Sequence, residues 1–194
     1  MPMIEVSGRS VFNVLEGFGP FRNQASNFLL RWGIGRRGAD GLVVIDADGW
    51  YPYEPYINAF AAIGREVGRN VLVQCGRAVP KHAVWPAELD SIEKGLQSID
   101  VAYHLNHRKD GRTMFDPRTG SMMNGIGHYR CSDPIGQMTM SIESDTPYPS
   151  DFDLGIISAI ATKFEPLAKV RADDTRTSRL LGARSCTYVV SWGR

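Results

Sequence analysis

One long amphipathic pattern constrains the fold of this chain more than any other feature. Over residues 88–107 the large apolar side chains recur at steps of three and four, the spacing of one helix face: Leu89, Ile92, Leu96, Ile99 and Tyr103. This pattern predicts a helix that packs one stripe of side chains against a core. The end of the predicted helix carries two histidines, His104 and His107.

Helical patterns fill most of the first half of the chain, and strand patterns follow in the second. Helices are predicted over residues 10–16, 21–32, 55–67 and 71–79, with Pro80 ending the last and a short extended segment at 42–45. Strands are predicted over residues 126–131, 137–142, 167–172 and 186–192, with a helix at 150–164 and a surface loop at 108–124.

This order of elements predicts the fold class. It favours an α/β (α+β) fold in which a helical N-terminal half packs on a small antiparallel sheet and the C-terminal half contains a βαβ unit. No repeat and no linker divides the sequence. Residues 1–194 are therefore predicted to form a single domain.

The balance of charge argues against two classes of partner. Twenty-two lysines and arginines face twenty-one aspartates and glutamates, a formal net charge of +1, which gives no global field to attract nucleic acid or an anionic membrane. The N-terminus lacks the pattern of a signal peptide, and no stretch reaches the ~20 apolar residues of a membrane helix. We expect a cytoplasmic protein with neither nucleic acid nor membrane as partner.

His104 and His107 are the first candidate ligands. Three residues apart on a helix, they project from similar sides and can address one cavity or one metal ion. The alternative is that they join Arg108 and Lys109 as cations at a helix C-terminus, where the helix dipole favours positive charge. Both interpretations remain open at this point.

A second candidate group lies on the strand that follows. Alternation places His128 and Arg130 on one face of the strand and Tyr129 and Cys131 on the other. A Cys–His nucleophile is therefore not expected here, because the base must lie within hydrogen-bond distance of the thiol. The three cysteines are scattered and are expected to be reduced thiols: Cys75, Cys131 and Cys186.

Several weaker features favour a structural interpretation. The aromatic cluster around two prolines is expected to pack a helix, although it could line a pocket mouth: Trp50, Tyr51, Tyr53 and Tyr56. Gly33-Ile34-Gly35 follows a helix rather than a strand, which is the wrong context for a dinucleotide site. Asp151 and Asp153 lie in a first helical turn, where the dipole alone explains acidic residues.

Together these segments resemble the heme-nitric-oxide-binding (H-NOX) superfamily and the related 4-vinyl-reductase, or hydrocarbon-binding, domains. The resemblance extends over most of the chain. Four segments are similar in sequence: Tyr53-Glu54-Pro55-Tyr56 through Gly68, Cys75-Gly76-Arg77, Ser98 through His104, and His128 through Asp133. The last is similar to the family's Tyr-x-Ser-x-Arg strand, with Cys131 and Asp133 where the family has Ser and Arg. The helix from Gly155 to Phe164 and the strand from Ala168 to Ala172 then follow in the family's order.

The resemblance implies a non-catalytic sensor that encloses a small-molecule or gas ligand between its helices and its sheet. In that case heme would be ligated by His104, or by His107, with Tyr129, Arg130 and Cys131 around it. A homodimer is expected only as the default symmetric state, and a downstream signalling protein is the further expected partner. The zinc pattern of some vinyl-reductase-like members would fall on Thr175, Ser178 and Cys186, of which only the cysteine is a ligand, so that zinc site is not expected.

Three alternatives to a heme sensor remain open. The first is a heme-free pocket for an apolar organic ligand. The second is an enzyme whose metal ion is held by His104, His107 and His128 around an open position. The third is an interaction scaffold that has kept the fold and lost the pocket. The heme hypothesis predicts a Soret band that is lost in His104→Ala.

Overall fold

The computed structural model describes residues 3–87, 89–132, 138–173 and 175–193. Within those ranges the chain forms six α helices and a short 3₁₀ turn at Arg179–Leu181. The helices are α1 Gly8–Gly17, α2 Arg22–Arg31, α3 Tyr53–Glu66, α4 Arg69–His82, α5 Ile92–Leu105 and α6 Ser150–Phe164. None of the described helices is long and apolar enough to cross a lipid bilayer.

Two four-stranded antiparallel sheets and two short ribbons complete the fold. The first sheet has the order β4-β1-β5-β6 and contains β1 Ile4–Ser7, β4 Trp50–Pro52, β5 His107–Lys109 and β6 Arg112–Thr113. The second has the order β11-β12-β10-β9 and contains β9 Tyr129–Cys131, β10 Thr139–Ser144, β11 Lys169–Ala172 and β12 Cys186–Ser191. The ribbons pair β2 Arg36–Arg37 with β3 Val43–Val44, and β7 Phe115–Asp116 with β8 Ser121–Met122.

The second sheet contains the predicted βαβ unit. Both β10 and β11 run antiparallel to β12, which lies between them, so β10 and β11 are parallel to each other. Helix α6 connects these two strands, as a crossover between parallel strands requires. The mixed α+β class predicted from the sequence is therefore confirmed.

Glycines allow the central helices to approach closely. A Cβ added to Gly76 of α4 would lie 2.1 Å from the carbonyl oxygen of Phe152, and one added to Gly155 of α6 would lie 2.2 Å from the carbonyl oxygen of Val73. A third close contact joins α1 to α4, where a Cβ on Gly17 would lie 2.3 Å from Cys75 Sγ. Helix α4 is therefore held between α1 and α6 at backbone contact distance.

The first sheet was not predicted. Strand β1 has only four residues and pairs with two distant segments, 50–52 and 107–109, so the local alternation is too short to identify it. The predicted loop at 108–124 contains two hairpins, one of them turning at Asp110-Gly111, where both residues have positive φ. Helix α4 continues past Pro80, because the missing N–H falls in its last turn and removes one hydrogen bond.

Candidate functional site

A small cavity lies between the helical layer and strand β9. Its volume is about 40 Å³, and side chains of α1, α3, α4, α5, α6, β5 and β9 line it. A water molecule needs roughly 10–15 Å³ measured in this way, so the cavity has room for about three waters. Drug-sized ligands occupy pockets of roughly 300–1,000 Å³.

Aromatic hydroxyl groups and His107 form the polar part of this cavity. His107 Nδ1 lies 2.7 Å from the carbonyl oxygen of Tyr103, which can only accept, so Nδ1 carries the hydrogen and Nε2 accepts from the Tyr148 hydroxyl at 3.1 Å. Burial lowers the pKa of His107 to about 4, so this imidazole is neutral near neutral pH. The Tyr103 hydroxyl donates to the carbonyl of Ile126 at 2.7 Å and accepts from Tyr53 at 2.9 Å.

Two further polar atoms in the cavity wall have no partner. Asn13 Oδ1, on α1, and Trp85 Nε1, in the segment after α4, are both buried and lack any hydrogen bond within the part of the chain that the structure describes. One is an acceptor and the other a donor. An unsatisfied buried polar atom costs about 1–3 kcal/mol, so each favours a partner inside the cavity.

His104 does not line the cavity. Its Nδ1 donates to the carbonyl oxygen of Asp100 at 2.8 Å, its Nε2 is buried without a partner among the described residues, and its ring stacks on that of His128 at 4.8 Å. The Asp100 carboxylate contacts both rings at their Nδ1 atoms, 3.4 Å from that of His104 and 3.0 Å from that of His128. The structure thus brings His104 and His128 together with Asp100, whereas His107 belongs to the cavity.

The Asp100 carboxylate also connects α5 to β9. Its Oδ1 accepts from the backbone N–H of Tyr129 at 3.0 Å. Burial alone would raise the pKa of Asp100, but hydrogen bonds from His104, the Tyr129 amide and His128 hold it below the ordinary value. The carboxylate is therefore ionised at neutral pH and holds the helix end against the strand.

Tyr129 is tied to a buried carboxylate on α6. Its hydroxyl donates to Asp153 Oδ1 at 2.6 Å, while the Ser144 hydroxyl and Arg179 Nη2 donate to Oδ2 at 2.8 and 3.0 Å. Arg179 also donates to the carbonyl oxygens of Tyr148 and Ser144. Burial raises the pKa of Asp153 to about 6, although the Arg179 charge opposes the shift. The helix dipole is therefore only part of the explanation for Asp153.

The remaining predicted residues of the strand lie outside the cavity. Arg130 pairs with Asp145 at 2.8 Å on the surface. Cys131 is partly buried, and burial together with the nearby Asp100 charge raises its pKa to about 12, so it is a thiol rather than a thiolate. Asp133 lies outside the described residues.

Comparisons with known proteins identify the fold. No family model and no curated protein matches the sequence. Among solved structures, an H-NOX protein from S. oneidensis in the Fe(II) ligation state superimposes with a TM-score of 0.61 at 15% identity, covering 97% of this chain and 96% of that one. The chain has the H-NOX fold.

Two further H-NOX structures agree. The Fe(II) unliganded H-NOX protein from K. algicida gives a TM-score of 0.57 at 10% identity, covering 97% of each chain. An oxygen-binding H-NOX domain related to soluble guanylate cyclases gives 0.56 at 14% identity, covering 96% of this chain and 93% of that one. Likeness at this level of identity shows the fold, and the resemblance seen in the sequence is confirmed at that level.

A porphyrin does not fit the cavity as these side chains arrange it. The volume is about a tenth of what a drug-sized ligand needs. Both nitrogens of His107 are hydrogen-bonded, and the imidazole with a free nitrogen, His104, is not in the cavity wall. Tyr129 and Arg179, the groups suited to a ligand carboxylate, already bind Asp153.

Sequence reasoning missed the two unpartnered cavity residues and the Asp153–Arg179 pair. Asn13 occupies a buried position of α1 beside Val14, so the helical period alone could have placed it in the core. Trp85 comes from an irregular segment and Arg179 from a three-residue 3₁₀ turn, and neither is long enough to give a periodic signal in the sequence.

Proposed function

We propose that this chain is a non-catalytic, heme-free ligand-binding domain with the H-NOX fold, which holds a small neutral molecule in the cavity between its helices and its sheet. The observation that carries the proposal is the pair of unpartnered buried atoms, Asn13 Oδ1 and Trp85 Nε1, in a wall that is otherwise mostly aromatic and aliphatic. Such a wall suits a ligand with an apolar body and one polar end.

The lining residues define the charge of the ligand. No Asp, Glu, Lys or Arg lines the described cavity, and His107 is neutral there. A charged ligand would lie in a low-dielectric site without a counter-charge, which is strongly unfavourable. The proposed ligand is therefore uncharged.

The polar atoms define the other property of the ligand. Asn13 Oδ1 needs a donor and Trp85 Nε1 needs an acceptor, and a hydroxyl group or a primary amide offers both. At about 40 Å³ the cavity takes only a few non-hydrogen atoms unless side chains move. Short-chain alcohols and amides are the matching class.

The wall also favours binding over catalysis. His107 uses both ring nitrogens in fixed hydrogen bonds, and the Ser10 hydroxyl is hydrogen-bonded to Ser7 at 3.0 Å. A nucleophile with a free general base is therefore not assembled from the lining residues that the structure describes.

Ligand titrations test the proposal. Calorimetry with 1-propanol, propionamide and propionate should show binding of the two neutral compounds and none of the carboxylate. Asn13→Leu and Trp85→Phe should each weaken binding about tenfold, since each removes one hydrogen bond worth ~1–1.5 kcal/mol. Asn27→Leu, on the exposed face of α2, is the matched control and should bind as the wild type does.

Two results would overturn the proposal. One is a Soret band on addition of heme that differs from that of free heme and is lost in His104→Ala, which would restore the heme hypothesis. The other is the absence of binding by every neutral compound, which would support the scaffold alternative. Native mass spectrometry of the same samples tests the homodimer, which, like the cytoplasmic location and a signalling partner, stays a prediction.

A further inference from the structure

A cluster of two imidazoles and one carboxylate lies outside the cavity, where α5 meets the start of β9. One ligand atom from each of Asp100, His104 and His128 lies within 4.8 Å of the other two. The two Nδ1 atoms are placed on opposite oxygens of the carboxylate, at 3.4 Å for His104 and 3.0 Å for His128. The proposed function uses none of these three side chains.

These spacings suit a single metal ion. Nitrogen and oxygen ligands bind Zn²⁺ at about 2.0–2.2 Å, which places tetrahedral neighbours about 3.4 Å apart. The separations between Asp100 and the two histidines are within a few tenths of an ångström of that value. The third separation, between the two histidine nitrogens, is at most 4.8 Å, so the rings need to approach each other by no more than about 1.4 Å to reach the tetrahedral spacing.

The hydrogen bonds at the cluster can give way to a cation at its centre. His128 Nδ1 lies 3.0 Å from Asp100 Oδ2 and Nε2 lies 3.4 Å from Asn124 Oδ1, so each ring nitrogen faces an acceptor. A metal ion bound at Nδ1 displaces the proton between the imidazole and the carboxylate, and the Nε2 hydrogen can then be donated to Asn124. Coordination through His104 Nδ1 replaces its hydrogen bond to the carbonyl oxygen of Asp100, and the ring hydrogen then moves to Nε2, which has no partner within the described residues.

The residues around the cluster orient its side chains and leave it open to solvent on one side. The backbone N–H of Tyr129 and the side chain of Asn124 orient the Asp100 and His128 groups, as outer-shell partners do in metal sites. The His104 side chain is fully buried, whereas those of Asp100 and His128 are 16% and 21% exposed. An ion can therefore enter from the solvent side and keep a coordination position open to water.

We propose that Asp100, His104 and His128 bind one divalent transition-metal ion of the borderline class, such as Zn²⁺ or Fe²⁺, through two imidazole nitrogens and one carboxylate. Two histidines and one carboxylate with open positions are a recurrent donor set for these ions. This set replaces the three-histidine combination, since His107 is held in the cavity by Tyr103 and Tyr148.

Metal titration of the full chain, freed of metal with a chelator, tests the site. Co²⁺ serves as a spectroscopic probe, because its visible absorption reports the coordination geometry, and Zn²⁺ should displace it. We expect one ion per chain and a loss of affinity of at least tenfold in Asp100→Asn and in His128→Gln. His82→Gln is the matched control, since His82 also lies beside a carboxylate, that of Glu16 at 2.6 Å, and should leave binding unchanged.

The proposal fails if the wild type binds no Co²⁺ at millimolar concentration, or if His128→Gln binds as tightly as the wild type. It fails equally if His82→Gln alone removes binding. The Asp100→Asn variant could unfold because α5 loses its contact with Tyr129. In that case the affinity of His128→Gln for Co²⁺ is the deciding measurement, since His128 is partly exposed. The cavity variant Asn13→Leu should bind metal as the wild type does. A failure of the metal site can therefore be distinguished from a failure of the proposed function.

Discussion

Replacing His107 with glutamine should remove a pH dependence of stability that comes from this one buried imidazole. Burial lowers its pKa from 6.5 to about 4. Between these values the unfolded chain binds a proton that the native protein does not, so the native state loses stability as the pH falls. A shift of this size corresponds to about 3 kcal/mol, fully present above pH 6.5 and lost by about pH 4.

In the wild type, a second buried group, Asp153, offsets the pH dependence of stability that comes from His107. Its pKa is raised from 3.8 to about 6, so its contribution has the opposite sign and the native state loses stability as the pH rises through this range. The magnitude is again about 3 kcal/mol. Over the overlapping interval the two contributions from His107 and Asp153 nearly cancel, and the wild type should show little net dependence from them.

Urea denaturation of the wild type and of His107→Gln at about pH 4.5 and pH 7 separates the two contributions. At pH 7 the variant should be the less stable protein, because it loses the hydrogen bond from Tyr148. At pH 4.5 this deficit should shrink by about 2–3 kcal/mol, since only the wild type still carries the buried imidazole. An equal deficit at both pH values would refute the reasoning and place His107 in contact with water.

Two further predictions concern the helix packing and the buried ion pair. Gly76→Ala should destabilise the protein by about 1–3 kcal/mol in urea denaturation, because the new methyl group meets the carbonyl of Phe152, whereas Gly64→Ala, which meets only a flexible side chain, should be neutral or stabilising. Arg179→Met should cost about 3–5 kcal/mol by leaving the Asp153 carboxylate buried without its cation, and the double variant with Asp153→Asn should recover much of that loss. Equal stability of the single and double variants would contradict the pairing.

The fold was predictable where it is helical and long. The stripe of apolar residues in α3, α5 and α6 repeats for three or more turns, so the helical period identifies each element within a few residues. The first sheet was not predictable, since β1 spans four residues and its partner strands come from distant parts of the chain. Strand pairing of this kind depends on tertiary contacts that a local pattern does not contain.

The candidate site was predictable only in part, and the two histidines of α5 show why. Spacing of three residues would place His104 and His107 on similar sides if the helix continued, but α5 ends at Leu105 and His107 opens β5. The change of backbone sends His107 into the cavity and leaves His104 beside His128. The contact between Asp100 and His128 depends on the packing of β9 against α5, which no local pattern in the sequence predicts.

The arrangement around Asp153 bears on the proposal that this chain combines the H-NOX fold with a small uncharged ligand. The strand that resembles Tyr-x-Ser-x-Arg keeps only its tyrosine among the described residues, and Asp153 binds this tyrosine together with the Ser144 hydroxyl of β10 and the Arg179 guanidinium of the 3₁₀ turn. These three groups already bind a carboxylate of the protein itself, so they have no hydrogen bond left that an acidic ligand is needed to satisfy. The unsatisfied groups are neutral and lie across the cavity at Asn13 and Trp85, which is why a small uncharged molecule suits this domain.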